Sequence, residues 1–115
     1  MTPRVSIQTN DFDVSTELAA LQGQDLRVGA VCSFVGTVRD TRALTGQASD
    51  EVQAMELEHY PGMTEKSIEA MIDEAHRRFD FYAARVVHRV GRLLPADQIV
   101  LVAVTSAHRG ESFKA

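Results

Sequence analysis

The run 98-QIVLVAVTS-106 sets the frame for the whole chain. From Ile99 to Val104 it is apolar throughout. It lacks the alternation of polar and apolar residues that is typical of a strand with one solvent-exposed face. A strand covered on both faces lies in the interior of a sheet. We therefore expect a central strand here, a rigid support that holds the residues at its tip in place.

Other segments supply the neighbours of this strand. Residues 94–97, LPAD, form a tight turn with Pro95 suitably placed, so the segment before the turn pairs back as a hairpin. Gly36 lies inside a strand and indicates a bulge or a close backbone approach. The segments with strand character are Arg4–Gln8, which is typical of an edge strand, Gly29–Asp40, Val52–Tyr60 and Ala84–Leu93.

Two segments have the features of helices. Residues 13–23 form a short helix that Asp13 or Ser15 can cap and Gly23 can end. Residues 61–79 form a longer helix that Thr64 can cap, with basic residues near its C-terminal end, where the helix dipole favours cations. Its apolar residues recur at helical spacing, at Ile68, Met71, Ile72, Ala75 and Phe79.

The element order is β-α-β-β-α-β-β, which mixes hairpins with a crossover helix. This order predicts an α+β fold with a mostly antiparallel sheet and helices packed on one side. The 115 residues suffice for one domain with a real core, so we expect a single domain over residues 1–115.

Composition excludes several classes of protein. The net charge of −4 argues against a nucleic-acid binder, which would carry a basic face. No apolar run reaches the roughly 20 residues of a membrane span, and the N-terminus has no signal-peptide core. Cys32 is the single cysteine, which excludes an internal disulfide and favours a cytoplasmic location. His59 and His88 lack metal-site spacing, so we expect no metal.

Two places on the chain are candidates for anion binding. His108 and Arg109 follow the central strand, and free N–H groups of a helix beginning there would face an anion that the arginine also contacts. Arg39 ends another strand beside the small, polar loop Thr41–Glu51, where it is either a phosphate clamp or a surface charge. The alternative to anion binding at the first place is that His108 is a packed side chain and Arg109 a solvated surface residue. Cys32 is expected to be a buried, inert thiol.

Three long stretches resemble one protein family, and they occur in the family's order. They are FVGTVRD (34–40), LEHYPGMTEKSIEAMIDEA (57–75) and VHRVGRLLPADQIVLVAVTSAHRGESFKA (87–115). Each is similar to the corresponding segment of the large, catalytic subunit of molybdopterin synthase, and the resemblance extends from Gly29 onward. It implies an α/β hammerhead-like fold that in the family continues past the end of this sequence through a last helix and strand.

The resemblance implies a function and a set of binding residues. Family members are sulfurtransferases, without a bound cofactor, that insert two sulfurs into cyclic pyranopterin monophosphate. The sulfur arrives as a thiocarboxylate on the tail of a small ubiquitin-like subunit, and the large subunits form a central homodimer. By resemblance Arg39, with the backbone of Thr37 and Val38, and the pair His108 and Arg109 bind the pterin phosphate, and the two arginines are expected to converge on it. Phe34 lies near the channel for the partner's tail.

The resemblance also places the two catalytic lysines of the family beyond Ala115. Lys114 is not one of them, so residues 1–115 alone are expected to show no sulfur transfer. A shortened relative that binds the partner or the pterin without catalysis is the alternative. We expect Met55, Leu57 and the strand Val86–Val90 to contribute apolar surface to the dimer interface. We also expect the loop Thr41–Glu51 to be poorly ordered.

Overall fold

The computed structural model describes residues 3–39, 55–57 and 63–115. In chain order the strands are β1 Val5–Gln8, β2 Ala30–Thr37, β3 Met55–Leu57, β4 Ala83–Arg89, β5 Gly91–Leu93 and β6 Gln98–Ser106. The helices are α1 Val14–Gln22, which follows β1, α2 Met63–Arg78, which follows β3, and α3 Arg109–Lys114, which follows β6.

Strand β6 lies inside the main sheet, as its apolar composition predicts. The strand order is β1-β4-β6-β2, and β6 pairs antiparallel with both of its neighbours. Leu101, Ala103 and Thr105 of β6 are fully buried. Strand β1 lies at the edge, also as predicted, and pairs parallel with β4, while β3 and β5 form a separate two-stranded antiparallel sheet. The prediction of a mostly antiparallel α+β fold is confirmed.

The helices divide between the two faces of the sheet, so the prediction that they pack on one side is wrong. Neighbouring strand residues point to opposite faces. Val87 and Leu101 pack with Phe12, which comes just before α1, on one face. On the other face the core of α2 forms around Ile72, which packs with Val104 among others. Because β4 and β6 carry apolar side chains on both faces of the sheet, each face is stabilised by packing against a different segment that excludes water from it.

An ion pair between a buried arginine and a partly exposed glutamate holds α1 against the sheet. Arg85 of β4 is 7% exposed, and its Nε donates to Oε2 of Glu17 at 2.9 Å. The same guanidinium donates through its NH1 nitrogen to the backbone carbonyl of Pro3 at 2.7 Å. One side chain therefore joins the helix, the central sheet and the segment that leads into β1. The apolar stem of arginine packs in the core while its donors are satisfied by these partners.

The segment Ala84–Leu93 is two strands, whereas its sequence predicts one. The chain bends at Gly91, whose φ of +91° is a left-handed conformation that suits glycine. After this bend β5 leaves the main sheet and pairs with β3. The turn that follows closes when the Leu94 N–H donates to Oδ2 of Asp97 at 2.8 Å.

Several residues that the sequence assigns to a dimer interface are buried in the core of this chain. Val86 and Val90 are each 9% exposed and Val87 is fully buried, because β4 lies between β1 and β6. These three valines do not offer the exposed apolar surface that the sequence prediction assigns to them. The side chains of Met55 and Leu57 and the loop 41–51 lie outside the described residues, so those predictions stand as they are.

The described residues contain neither a candidate membrane helix nor a candidate metal cluster. In this part of the chain no helix is long and apolar enough to cross a membrane. The same residues contain no group of three or more His, Cys, Asp or Glu side chains that could hold a metal ion.

The position of Leu101 predicts a large loss of stability on truncation. Leu101→Ala removes a fully buried side chain from the interior strand and is expected to lower the free energy of unfolding by about 2–5 kcal/mol. The matched control is Leu26→Ala, since Leu26 is 99% exposed and should change stability by less than about 0.5 kcal/mol. Urea denaturation followed by circular dichroism measures both. Equal midpoints for the two variants would contradict this description of the core.

Candidate functional site

The first candidate segment is the turn that joins β6 to α3. The backbone at His108 is extended, with φ of −132° and ψ of 148°, and the next residue, Arg109, begins the helix. Both side chains are exposed, and neither forms a hydrogen bond or an ion pair within the described part of the chain. The structure therefore presents an exposed imidazole and an exposed guanidinium on consecutive residues at the tip of the central strand.

A pocket of about 460 Å³ lies beside Arg109. Its walls come from the first half of β2 and from α3, and they are formed by Val31, Cys32, Arg109, Gly110, Ser112 and Phe113. Cys32 is half-buried and borders this pocket, in contrast to the sequence prediction of a buried thiol. The lining combines one positive charge with mostly apolar walls, which is the composition of a site for an anion attached to an apolar body.

The second candidate segment, Thr37–Arg39, lies where β2 ends. The ladder with β6 shifts register between Gly36 and Thr37, which confirms the irregularity predicted at Gly36. A Cβ atom on Gly36 would lie 2.9 Å from Cγ1 of Val100, so the two strands are also in close approach there. The side chain of Arg39 is exposed.

The backbone of Val38 is already occupied within the protein. Its N–H donates to the carbonyl of Asp97 at 2.9 Å, and its carbonyl accepts from the N–H of Ala96 at 2.9 Å. The Val38 side chain is buried. This amide is not free for a phosphate, so the contact that the resemblance implies for Val38 is not available in this arrangement. Thr37 and Arg39 remain as candidates.

The two candidate segments lie at opposite ends of the same strand pair. In the β2–β6 ladder Ala30 is opposite Ser106 and Thr37 is opposite Gln98. Seven residue steps of extended strand separate these ends by about 23 Å. The prediction that Arg39 and Arg109 converge on one anion is therefore wrong within a single chain, because β2 and β6 run antiparallel and carry the two arginines in opposite directions.

Ion pairing divides the arginines of the described residues into two groups. Most of them contact a carboxylate: Arg4, Arg27, Arg77, Arg78, Arg85 and Arg89. Arg39, Arg92 and Arg109 have no carboxylate partner in the part of the chain that the structure describes. Sequence reasoning did not single out Arg92, which lies opposite Glu56 in the β3–β5 ladder. A guanidinium without an internal carboxylate keeps its charge and its donors available for an external anion.

Phe34 belongs to an exposed apolar surface next to the Arg109 pocket. Its side chain is 64% exposed, and that of Phe113 in α3 is 80% exposed. Together with Cys32 and Val102, among others, they line a depression of about 180 Å³. Phe113 was not predicted from the sequence, although an aromatic residue in the polar run RGESFKA is a signal that could have identified it.

Comparison with known proteins gives a consistent result. The family model described as MoaE protein matches residues 7–115. A protein of Ralstonia nicotianae named molybdopterin synthase catalytic subunit is 53% identical over 113 residues, which cover 98% of this chain and 61% of that protein. A Vibrio cholerae protein of the same name is 49% identical over 115 residues, which cover all of this chain and 73% of that protein.

A solved structure has the same fold. It is described as the molybdopterin biosynthesis MoaE protein from Burkholderia ambifaria, with a TM-score of 0.84 and 50% identity. The match covers 97% of this chain and 71% of that one, so this chain spans between three fifths and three quarters of the relatives named here. With agreement of fold and sequence over nearly all of its residues, the chain belongs to the MoaE family, whose members named above are molybdopterin synthase catalytic subunits and a molybdopterin biosynthesis protein.

Proposed function

We propose that this chain is a large subunit of a molybdopterin synthase, which transfers sulfur from the thiocarboxylated tail of a small ubiquitin-like subunit to cyclic pyranopterin monophosphate. In this proposal the residues described above bind the substrate, and the lysines that carry catalysis in the family lie outside residues 1–115. Membership of the MoaE family supports the general role in molybdenum cofactor synthesis.

The observation that carries the proposal is the state of Arg39 and Arg109. Both are exposed and have no carboxylate partner among the described residues, in a chain where most described arginines are paired. The substrate carries a phosphate, and a guanidinium donates two parallel hydrogen bonds to such a group. In this role both arginines contact a part of the substrate that does not react, so they contribute to ground-state binding.

We further propose that two copies of the chain complete each phosphate site. Arg39 and Arg109 of one copy are too far apart to reach one phosphate, because the β2–β6 ladder separates them. In a two-fold symmetric dimer a residue of one copy can meet a different residue of the other, and the symmetry then generates two equivalent sites. Such a site would combine Arg39 of one copy with His108 and Arg109 of its partner.

The apolar depression around Phe34 is the proposed contact for the tail of the small subunit. It adjoins the Arg109 pocket, since Cys32, Ser112 and Phe113 border both. A glycine-rich tail has almost no side chains of its own and fits a narrow channel with apolar walls. This arrangement would bring the end of the tail toward the site of the bound pterin while aromatic side chains exclude water from the approach.

Removal of either arginine is expected to weaken substrate binding. Arg39→Ala and Arg109→Ala each remove a charged hydrogen bond and should raise the dissociation constant of the pterin phosphate by about 10- to 100-fold. The matched control is Arg92→Ala, which removes an exposed arginine that has no carboxylate partner among the described side chains and lies outside the proposed site. Calorimetric titration of the chain as its gene encodes it measures all three. Wild-type affinity in both site variants would refute the phosphate site.

A mixture of the two variants tests the shared site. If Arg39 and Arg109 come from different copies, a mixed dimer of Arg39→Ala and Arg109→Ala has one intact site and one site that lacks both arginines. Random mixing should then restore tight binding at about one quarter of all sites, although neither variant binds tightly alone. No restoration after complete subunit exchange would show that the two arginines serve separate anions.

A single-turnover assay tests the reaction itself. The thiocarboxylated partner and the pterin phosphate are combined with the chain as its gene encodes it, and the dithiolene product is measured. We expect product with the wild-type chain and slower formation at subsaturating substrate with Arg109→Ala. Binding of both components without any product would instead favour a binding module without catalysis.

A further inference from the structure

The turn Ser106–Arg109, which we call the anion turn, is held through its backbone. The Gly29 N–H donates to the carbonyl of Ser106 at 3.0 Å. The buried Oγ of Ser106 donates to the carbonyl of His108, and the buried Oγ of Ser112 donates to the carbonyl of Arg109 at 3.0 Å. Since no hydrogen bond or ion pair with another described residue holds the His108 and Arg109 side chains, the backbone of this turn determines where their charge and donors lie.

Gly29 is in closer contact with this turn than any other residue type allows. A Cβ atom built on Gly29 would lie 2.3 Å from the carbonyl oxygen of Ala107. That separation is far inside van der Waals contact, and the obstructing atom belongs to the backbone, so no side-chain rotation can relieve it. Any substitution at Gly29 must therefore move either its own segment or the anion turn.

The segment of Gly29 has contacts on both sides of the glycine. Two residues earlier, the guanidinium of Arg27 lies over the ring of Tyr82 at 4.5 Å, and the Tyr82 N–H donates to the carbonyl of Thr105 at 2.7 Å. Arg27 also pairs with Asp25 at 2.7 Å and lowers the pKa of that carboxyl to about 2. The residue after Gly29 is already in the ladder with β6. The anion turn, which is exposed at Ala107 and His108, begins where that ladder ends at Ser106.

We propose that Gly29 is a positioning residue for the phosphate site, which acts by letting the anion turn lie against the start of β2, and that the Ser106 hydroxyl holds the turn there. This inference rests on the proposed function, since it assigns the turn to phosphate binding. A site must be held to within a fraction of an ångström for its hydrogen bonds to form. An alanine at Gly29 shifts the turn and misaligns His108 and Arg109 without touching either.

The test compares Gly29→Ala with Gly23→Ala in the whole chain. Gly23 ends α1 with an ordinary φ of −69°, away from the turn, so its substitution controls for the loss of a glycine. The probe is inorganic phosphate, titrated while amide resonances are recorded by NMR. Gly29→Ala should shift the amide resonances of residues 107–110 before any phosphate is added and raise the dissociation constant on the order of tenfold. Gly23→Ala should do neither.

A double-mutant cycle separates positioning from a general loss of structure. If Gly29 acts through Arg109, then Gly29→Ala costs clearly less affinity in an Arg109→Ala background than in the wild-type chain, and the remaining cost is the part that acts through His108. Equal costs in both backgrounds, or a Gly29→Ala variant with unchanged affinity, would overturn the positioning role while leaving the phosphate site intact. Failure of the wild-type chain to bind phosphate would overturn the site and this inference together.

Ser106 provides a second route if Gly29→Ala does not fold. Ser106→Ala removes the hydroxyl that holds the carbonyl of His108, whereas Ser106→Thr keeps a hydroxyl in the same place. Weakened phosphate binding in the alanine variant, with recovery in the threonine variant, supports the inference. Unchanged binding in Ser106→Ala would show that the turn needs no such support.

Discussion

The two antiparallel ladders of β6 are the constraint on which the rest of this structure depends. With β4 on one side and β2 on the other, β6 determines where both candidate segments emerge. The ladder with β2 carries Ser106 and the turn after it to one end of the sheet and Thr37 to the other. Because backbone hydrogen bonds along both edges hold β6, its ends cannot shift independently. The separation of the two arginines is thus a property of the sheet.

Parts of this architecture are accessible from the sequence because they depend on local composition. The apolar run in β6 predicts an interior strand, and Asp13 does cap α1, accepting from the Thr16 N–H at 2.9 Å. The division of the helices between two faces depends instead on which residues of β4 point to which side, and that follows from pairing. The same holds for Val86 and Val87, whose apolar character fits an interface as well as a core. Only the position of β4 between two strands decides that they are core residues.

The candidate site shows the same limit. Sequence reasoning identifies Arg39 and Arg109 by their places at strand ends, and the family resemblance assigns them a ligand. It could not give the distance between them, because the antiparallel direction of β2 relative to β6 is a tertiary property. Nor could it show which arginines are neutralised by carboxylates, since the partners of Arg4 and Arg85 are more than 60 residues away along the chain. Free and paired guanidinium groups look alike in a sequence and differ only in the fold.

The irregularity in the β2–β6 ladder bears on how the length of this strand pair can change over evolution. Gly36 is opposite Val100 and Thr37 is opposite Gln98, so Ile99 has no counterpart on β2. Loss of this one residue would restore a regular ladder and would remove the bend and extra twist that the bulge gives to Gln98 and the turn before it. That turn anchors Val38 and hence the exit of the chain toward Arg39. Length variation at Ile99 would thus reorient one candidate segment while the segment at the far end stayed in place.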